Sequence, residues 1–178
     1  MISFKPLPLS GVYVVENFTV RDFRGIFIKS FHEEQLKQIG FIGTFKESYY
    51  SQSTKNVVRG MHFQKPPNDH EKLVYVTEGT ILDVILDLRL ESKTYLEYIT
   101  VELTAFGSSV FIPKGCAHGF ATISDTATVV YNVSSVYNPI SDSGVLWNSF
   151  GFNWPIEKPI LSERDQSFDS VLNFKTPF

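Results

Sequence analysis

Four histidines, His32, His62, His70 and His118, are the side chains of this chain best suited to moving protons near neutral pH. An unperturbed imidazole titrates close to that pH. Two of them stand in conspicuous runs. Val58-Arg59-Gly60-Met61-His62-Phe63-Gln64 sets a histidine three residues after an arginine. Pro113-Lys114-Gly115-Cys116-Ala117-His118-Gly119-Phe120 sets another just after a tight turn. In a strand, His62 shares a face with Gly60, and Arg59 lies on the other face unless a bulge or turn redirects it. Taken singly, each of these residues has a plain structural reading. A strand histidine is usually a hydrogen-bonded packing residue. Tyr131 on an apolar face reads as core, Lys72 as a solvated strand end, and Asp165 as a helix-capping carboxylate.

The elements that must position these groups are mostly strands. Leu82, Val84, Leu86 and Leu88 alternate with Ile81, Asp83, Ile85 and Asp87, a period of two that predicts a strand with one apolar face. Ile99, Val101 and Leu103 alternate in the same way, and Ala127, Val129, Tyr131 and Val133 share one face of a later strand. Turns are marked by Glu78-Gly79-Thr80, Pro113-Lys114-Gly115 and Ser124-Asp125. Helix is scarce. His32 to Ile39 can form a short one stopped by Gly40, and Ser162-Glu163-Arg164-Asp165 resembles a capping box. Sixteen Phe and eight Tyr suit sheet packing. The expected fold is an all-β barrel or jelly roll with a few short helices, spanning 1–178 as one domain.

Composition excludes several classes. A net charge of −3 argues against a general grip on nucleic acid, while leaving room for a local basic pocket. Cys116 is the only cysteine, so no intrachain disulfide forms, and a reducing compartment is the simplest setting. No apolar run has the length of a membrane span. Met1 to Leu9, with Pro6 and Pro8, does not read as a signal peptide. The expectation is a cytoplasmic protein that acts without membrane or nucleic acid.

Ordered segments from about residue 20 to 170 resemble the dTDP-4-dehydrorhamnose 3,5-epimerase family, whose fold is a cupin-type jelly roll. They are Arg24-Gly25, the Asn56–Gln64 run, Lys72-Leu73-Val74, Asp83-Val84, Asp87-Leu88-Arg89 and the Ile112–Phe120 run. Tyr131 with Tyr137-Asn138-Pro139, Leu146-Trp147-Asn148, Trp154-Pro155 and Leu161-Ser162-Glu163-Arg164-Asp165 complete the set. The resemblance implies epimerisation of a nucleotide-linked 4-keto sugar, in bacterial surface-polysaccharide synthesis. Hydrogens on C3 and C5 are acidic because their loss gives an enolate with the C4 ketone. Inversion then needs a base on one face of the ring and an acid on the other. The family pattern makes His62 the base, Asp165 its carboxylate partner and Tyr131 the acid. Lys72, with Arg59 nearby, faces the charge developing on the C4 oxygen. Arg24, Arg59 and Arg164 match positions near the diphosphate, His118 a position near the sugar, and Tyr137 and Asp142 further substrate positions. No metal or organic cofactor is implied, and the family forms homodimers through N-terminal strands, here within Phe4 to Phe31.

Two departures bear on the nucleotide. Glu47-Ser48-Tyr49 stands where many relatives have Gln-Asp-Asn, and Lys29 replaces a glutamate before Ser30. The carrier therefore stays open between dTDP and GDP, and the sugar between a 6-deoxy hexose and a heptose. Two other readings remain. Pro113-x-Gly115-x-x-His118 is similar to the second motif of metal-dependent cupins. The first motif's His-x-His is replaced by His62-Phe63-Gln64, with His70 and Glu71 at the wrong spacing for a three-ligand site. A non-catalytic nucleotide-sugar-binding jelly roll would keep Arg24 and Arg59 without needing His62, Asp165 and Tyr131 together.

Overall fold

The computed structural model describes residues 1–178. In chain order it contains β1 (Ser3–Pro6), β2 (Tyr13–Glu16), β3 (Phe18–Asp22), β4 (Gly25–Lys29), α1 (Glu33–Leu36), β5 (Glu47–Thr54), β6 (Val58–Gln64) and β7 (Lys72–Glu78). There follow β8 (Thr80–Asp87), β9 (Tyr98–Thr104), β10 (Ser109–Ile112), β11 (Cys116–Thr122), β12 (Thr126–Val133), β13 (Asp142–Gly144) and α2 (Glu163–Ser167). Six strands form one sheet in the order β1-β2-β10-β7-β12-β5, and five form a second in the order β13-β6-β11-β8-β9. β3 and β4 make a separate two-stranded ribbon. This is the expected cupin-type jelly roll.

The alternation of β12 works as expected. Ala127, Val129, Tyr131 and Val133 all enter the core between the sheets, where they meet Val74 and Val76 of β7 and Ile81, Ile85 and Phe120 of the opposite sheet. β8 corrects the sequence reading, because both of its faces are buried. Ile81 and Ile85 point into the central core, while Val84, Leu86 and the adjoining Leu88 pack outward. The chain after β13 covers that outer face with Phe150, Phe152, Trp154, Val171, Phe174 and Phe178. Val171 is buried and the five aromatics are half-buried, so each contributes at most about 1.5–3 kcal/mol, the value for full burial. A third cluster, with Leu36, Phe41, Leu73 and Phe111, backs the six-stranded sheet. The helix before it ends as expected, in one 3-10 turn and a left-handed Gly40 (φ 87°).

The covering C-terminal segment also carries α2 to β6. The amide of Val58 donates to the Ile160 carbonyl at 3.0 Å, and the amide of Ile160 to the Asn56 carbonyl at 2.9 Å. Ser162 then caps α2, its hydroxyl accepting from the Asp165 amide at 3.1 Å. A reciprocal capping box would return the Asp165 carboxylate to the Ser162 amide. It points instead toward β6.

Candidate active site

A bulge in β6 shapes the site. His118 of β11 faces His62, yet Phe120 faces Arg59, so β6 carries one extra residue between these pairs. Gly60 occupies the bulge with φ 139°, a conformation open to glycine, and a Cβ there would lie 2.5 Å from the Gly119 Cα. The bulge turns Arg59 to the same side as His62, and both line a cavity of about 200 Å³ between the sheets. Arg59 Nε donates to Ser53 Oγ at 2.9 Å, and its Nη2 to the Gln52 carbonyl at 3.2 Å.

His62 Nε2–H donates to Asp165 Oδ1 at 2.7 Å, and the Gly60 amide donates to Oδ2 at 3.1 Å. Nδ1 is left as the ring nitrogen without a protein partner. Burial raises the Asp165 carboxyl. The hydrogen bond from His62, the attraction its imidazolium form exerts and the Gly60 amide more than offset this and hold it below the usual carboxylate value. The Phe168 ring stands edge-on against the imidazole at 5.9 Å. A fixed tautomer, a persistent carboxylate and an open nitrogen equip this histidine as a general base.

The same cavity is lined by Lys72, His118, Tyr131 and Tyr49. Lys72 is buried, contrary to its reading as a solvated strand end, and burial lowers its ammonium to about 8. Its Nζ donates to the His62 carbonyl at 3.2 Å. Tyr131 is buried, which raises its phenol well above the ordinary value and keeps it protonated at neutral pH. His118 Nε2 meets Asp83 Oδ1 at 2.6 Å inside the barrel. Burial moves both members toward their neutral forms, raising the acid and lowering the imidazole against their mutual attraction.

A neighbouring cleft of about 300 Å³ shares His62, Lys72 and Tyr49 and adds Glu47, Tyr137, Asp142 and Arg164. Arg164 pairs with Asp142 at 2.7 Å and lies over the Phe168 ring at 5.1 Å. Tyr137 donates its hydroxyl to Asp142 at 3.3 Å and its amide to Glu47 Oε2 at 2.6 Å. Arginine beside an open cleft suits phosphate oxygens, and exposed tyrosine suits a base or sugar face.

Arg24 and Lys29 are not brought into this constellation. They sit on the β3–β4 ribbon, which pairs with neither main sheet, and line neither cavity. Arg24 is exposed and clamped by Asp22 at 2.6 Å. Two other lining residues were given no substrate role by the sequence reading. Gln64 accepts from the Asn138 amide at 2.6 Å and donates to the Asn68 carbonyl at 2.8 Å, so it fixes the loop that carries Tyr137. His70 lines the cleft as a neutral acceptor, lowered by burial to about 3. Asp83 did carry a signal, being an acid at an inward position between Ile81 and Ile85. No group of three or more His, Cys, Asp or Glu is arranged to hold a metal ion. No helix is long and apolar enough to cross a membrane.

Residues 6–172 match the family model described as dTDP-4-dehydrorhamnose 3,5-epimerase. The dTDP-4-dehydrorhamnose 3,5-epimerase of Salmonella typhimurium is 38% identical over 162 residues, covering 88% of each chain. The crystal structure of the Bacillus anthracis dTDP-4-dehydrorhamnose 3,5-epimerase, with TDP and PPi bound, superposes with a TM-score of 0.92. It is 34% identical and covers 96% of this chain and 100% of its own. A dTDP-6-deoxy-D-glucose-3,5-epimerase from Legionella pneumophila, in complex with dTDP-4-keto-L-rhamnose, gives a TM-score of 0.94. It is 28% identical and covers 98% of this chain and 95% of its own.

Proposed function

The chain belongs to the dTDP-4-dehydrorhamnose 3,5-epimerase family, and from that premise we propose that it inverts C3 and C5 of a dTDP-linked 4-keto-6-deoxy hexose through an enolate. The observation that carries this reading is a single cavity lined at once by His62, Lys72 and Tyr131. In the proposed step, His62 Nδ1 takes the proton beside the ketone, and the electron pair passes toward the C4 oxygen. Asp165 holds the imidazole and stabilises its cation. The Lys72 ammonium faces the oxyanion, and the Tyr131 hydroxyl delivers a proton to the opposite face of the carbon. Arg59 and Arg164 hold the diphosphate, His118 the sugar, and Glu47, Tyr49, Tyr137 and Asp142 the rest of the nucleotide. We further propose one domain over 1–178, working in the cytoplasm as a homodimer whose β3–β4 ribbon carries Arg24 and Lys29 to the second copy.

Glu47 supports a second reading of the carrier. One of its oxygens accepts the Tyr137 amide and the other has no protein partner, so it can accept from the N–H edge of guanine. The test is deuterium uptake in heavy water, followed by mass spectrometry, with dTDP- and GDP-linked 4-keto-6-deoxy sugars. The expected result is two deuterons gained by the dTDP sugar, at a rate cut roughly 10²–10⁴-fold in His62→Asn. Faster uptake by the GDP sugar, lost in Glu47→Gln, would move the carrier to GDP. No uptake with either sugar would overturn the assignment.

A further inference from the structure

β5 lies at the edge of the six-stranded sheet, beside β12. Its alternate residues all back a site group. Glu47 holds the Tyr137 amide, Ser51 Oγ lies 3.5 Å from the Tyr131 hydroxyl, and Ser53 Oγ accepts from Arg59. Tyr49 stands directly opposite Tyr131 in the strand register. The two rings are stacked, with centroids 4.9 Å apart and planes 21° from parallel. On another side, the His118 ring meets Tyr131 edge-on at 6.0 Å. The Tyr131 hydroxyl itself has only the contact with Ser51, at the outer limit of a hydrogen bond. The ring is therefore fixed by packing rather than by a hydrogen bond, among the Tyr49 stack, the His118 contact and the core residues around it. Tyr49 is 42% exposed, so its burial contributes less to the core than that of an inner aromatic would.

We propose that Tyr49 is a positioning residue: its stacked ring sets where the Tyr131 hydroxyl stands, and so decides whether the enolate is reprotonated with inversion or with retention. This rests on Tyr131 being the acid. Once His62 has taken the proton, the enolate carbon regains one by either of two routes. Tyr131 delivers it to the far face, giving inversion, after which the phenolate recovers a proton from solvent and His62 gives its proton up to solvent. Alternatively, His62 returns a proton, exchanged with solvent, to the original face, giving retention. A displaced Tyr131 slows the first route and leaves the second open.

The experiment follows conversion of the dTDP-linked 4-keto-6-deoxy sugar in heavy water by NMR, which reads the position and configuration of each deuteron. It compares wild type with Tyr49→Ala, Tyr49→Leu, Tyr49→Phe and Tyr131→Phe, each first checked for cooperative melting. Tyr49→Ala and Tyr49→Leu are expected to lower inversion per exchange event about tenfold at the carbon served by Tyr131, a ratio read at saturating substrate so that a weaker grip on the nucleotide does not enter it. Tyr49→Phe, which keeps the stack and loses only the hydroxyl, restores the ratio. A general loss of structure would depress exchange and inversion together and leave their ratio unchanged. If Tyr131→Phe loses inversion while both Tyr49→Ala and Tyr49→Leu keep the wild-type ratio, the role of Tyr49 is overturned and that of Tyr131 stands. If Tyr131→Phe still inverts normally, the acid assignment falls and takes the role of Tyr49 with it.

Discussion

Lys72 shows how a single residue is held in a state that folding alone would not favour. Its side chain is buried and makes one hydrogen bond, to the His62 carbonyl. Burial lowers its ammonium from 10.5 to about 8, against the pull of Asp83 and Asp142. The unfolded chain therefore binds more protons than the folded one between about 8 and 10.5, so stability from this group rises with pH across that window. Below about 8 the buried cation opposes folding in full. Lys72→Met is expected to melt a few degrees higher than wild type at pH 7, with the gain shrinking as pH nears 10.5. The same change should lower kcat/KM roughly 10²–10³-fold through loss of oxyanion stabilisation. In wild type, kcat/KM is expected to fall above about pH 8 as the ammonium is lost. A variant that melts lower than wild type at neutral pH would contradict the burial account. Pairing thermal melts with a pH–rate profile checks both halves.

At the scale of elements, the bulge of β6 and the cap of α2 do the positioning. The bulge sets Arg59 and His62 into one cavity, and α2 delivers Asp165 to the imidazole from 103 residues away. Gly60 is where the two meet, since its amide donates to Asp165 and its Cα passes close to Gly119. Alanine at this position would be strained at φ 139° and would press a methyl into the β11 backbone. Gly60→Ala is expected to cost roughly 2–4 kcal/mol in urea denaturation, from backbone strain and overpacking together. It should also reduce deuterium exchange, because the imidazole and its carboxylate lose their shared anchor. An unchanged midpoint would show that β6 and β11 have more room than their spacing implies.

Across the whole molecule, the β3–β4 ribbon stands apart from the two sheets in hydrogen bonding, with Ile26 and Ile28 facing β7 across a cavity. By register, Phe18, Val20 and Phe27 lie on one face of the ribbon, and all three are exposed. An exposed apolar face of this kind suits the interaction surface that the proposed homodimer requires. Light scattering is expected to give twice the 20.2 kDa chain mass. The double change Val20→Asp with Phe27→Asp should yield a monomer with weakened substrate binding, because Arg24 and Lys29 would no longer reach a neighbour. Wild-type protein at the mass of one chain would remove the homodimer.

Much of this was legible in the sequence. Period-two alternation set the faces of β9 and β12, Gly40 and Ser162 marked helix ends, and the ordered motifs around His62 and His118 pointed to the family. These features are local, because side-chain direction follows from backbone geometry and spacing. The outer burial of β8, the redirection of Arg59 and the separation of Arg24 and Lys29 from His62 were decided only by tertiary structure. So were the turn of Asp165 from its own helix end to His62, the pairing of His118 with Asp83, and the pKa of Lys72. Alternation tells which face a residue takes, but not which strand it faces, where an extra residue shifts the register, or how much water remains around it. Those depend on contacts between segments far apart in the chain.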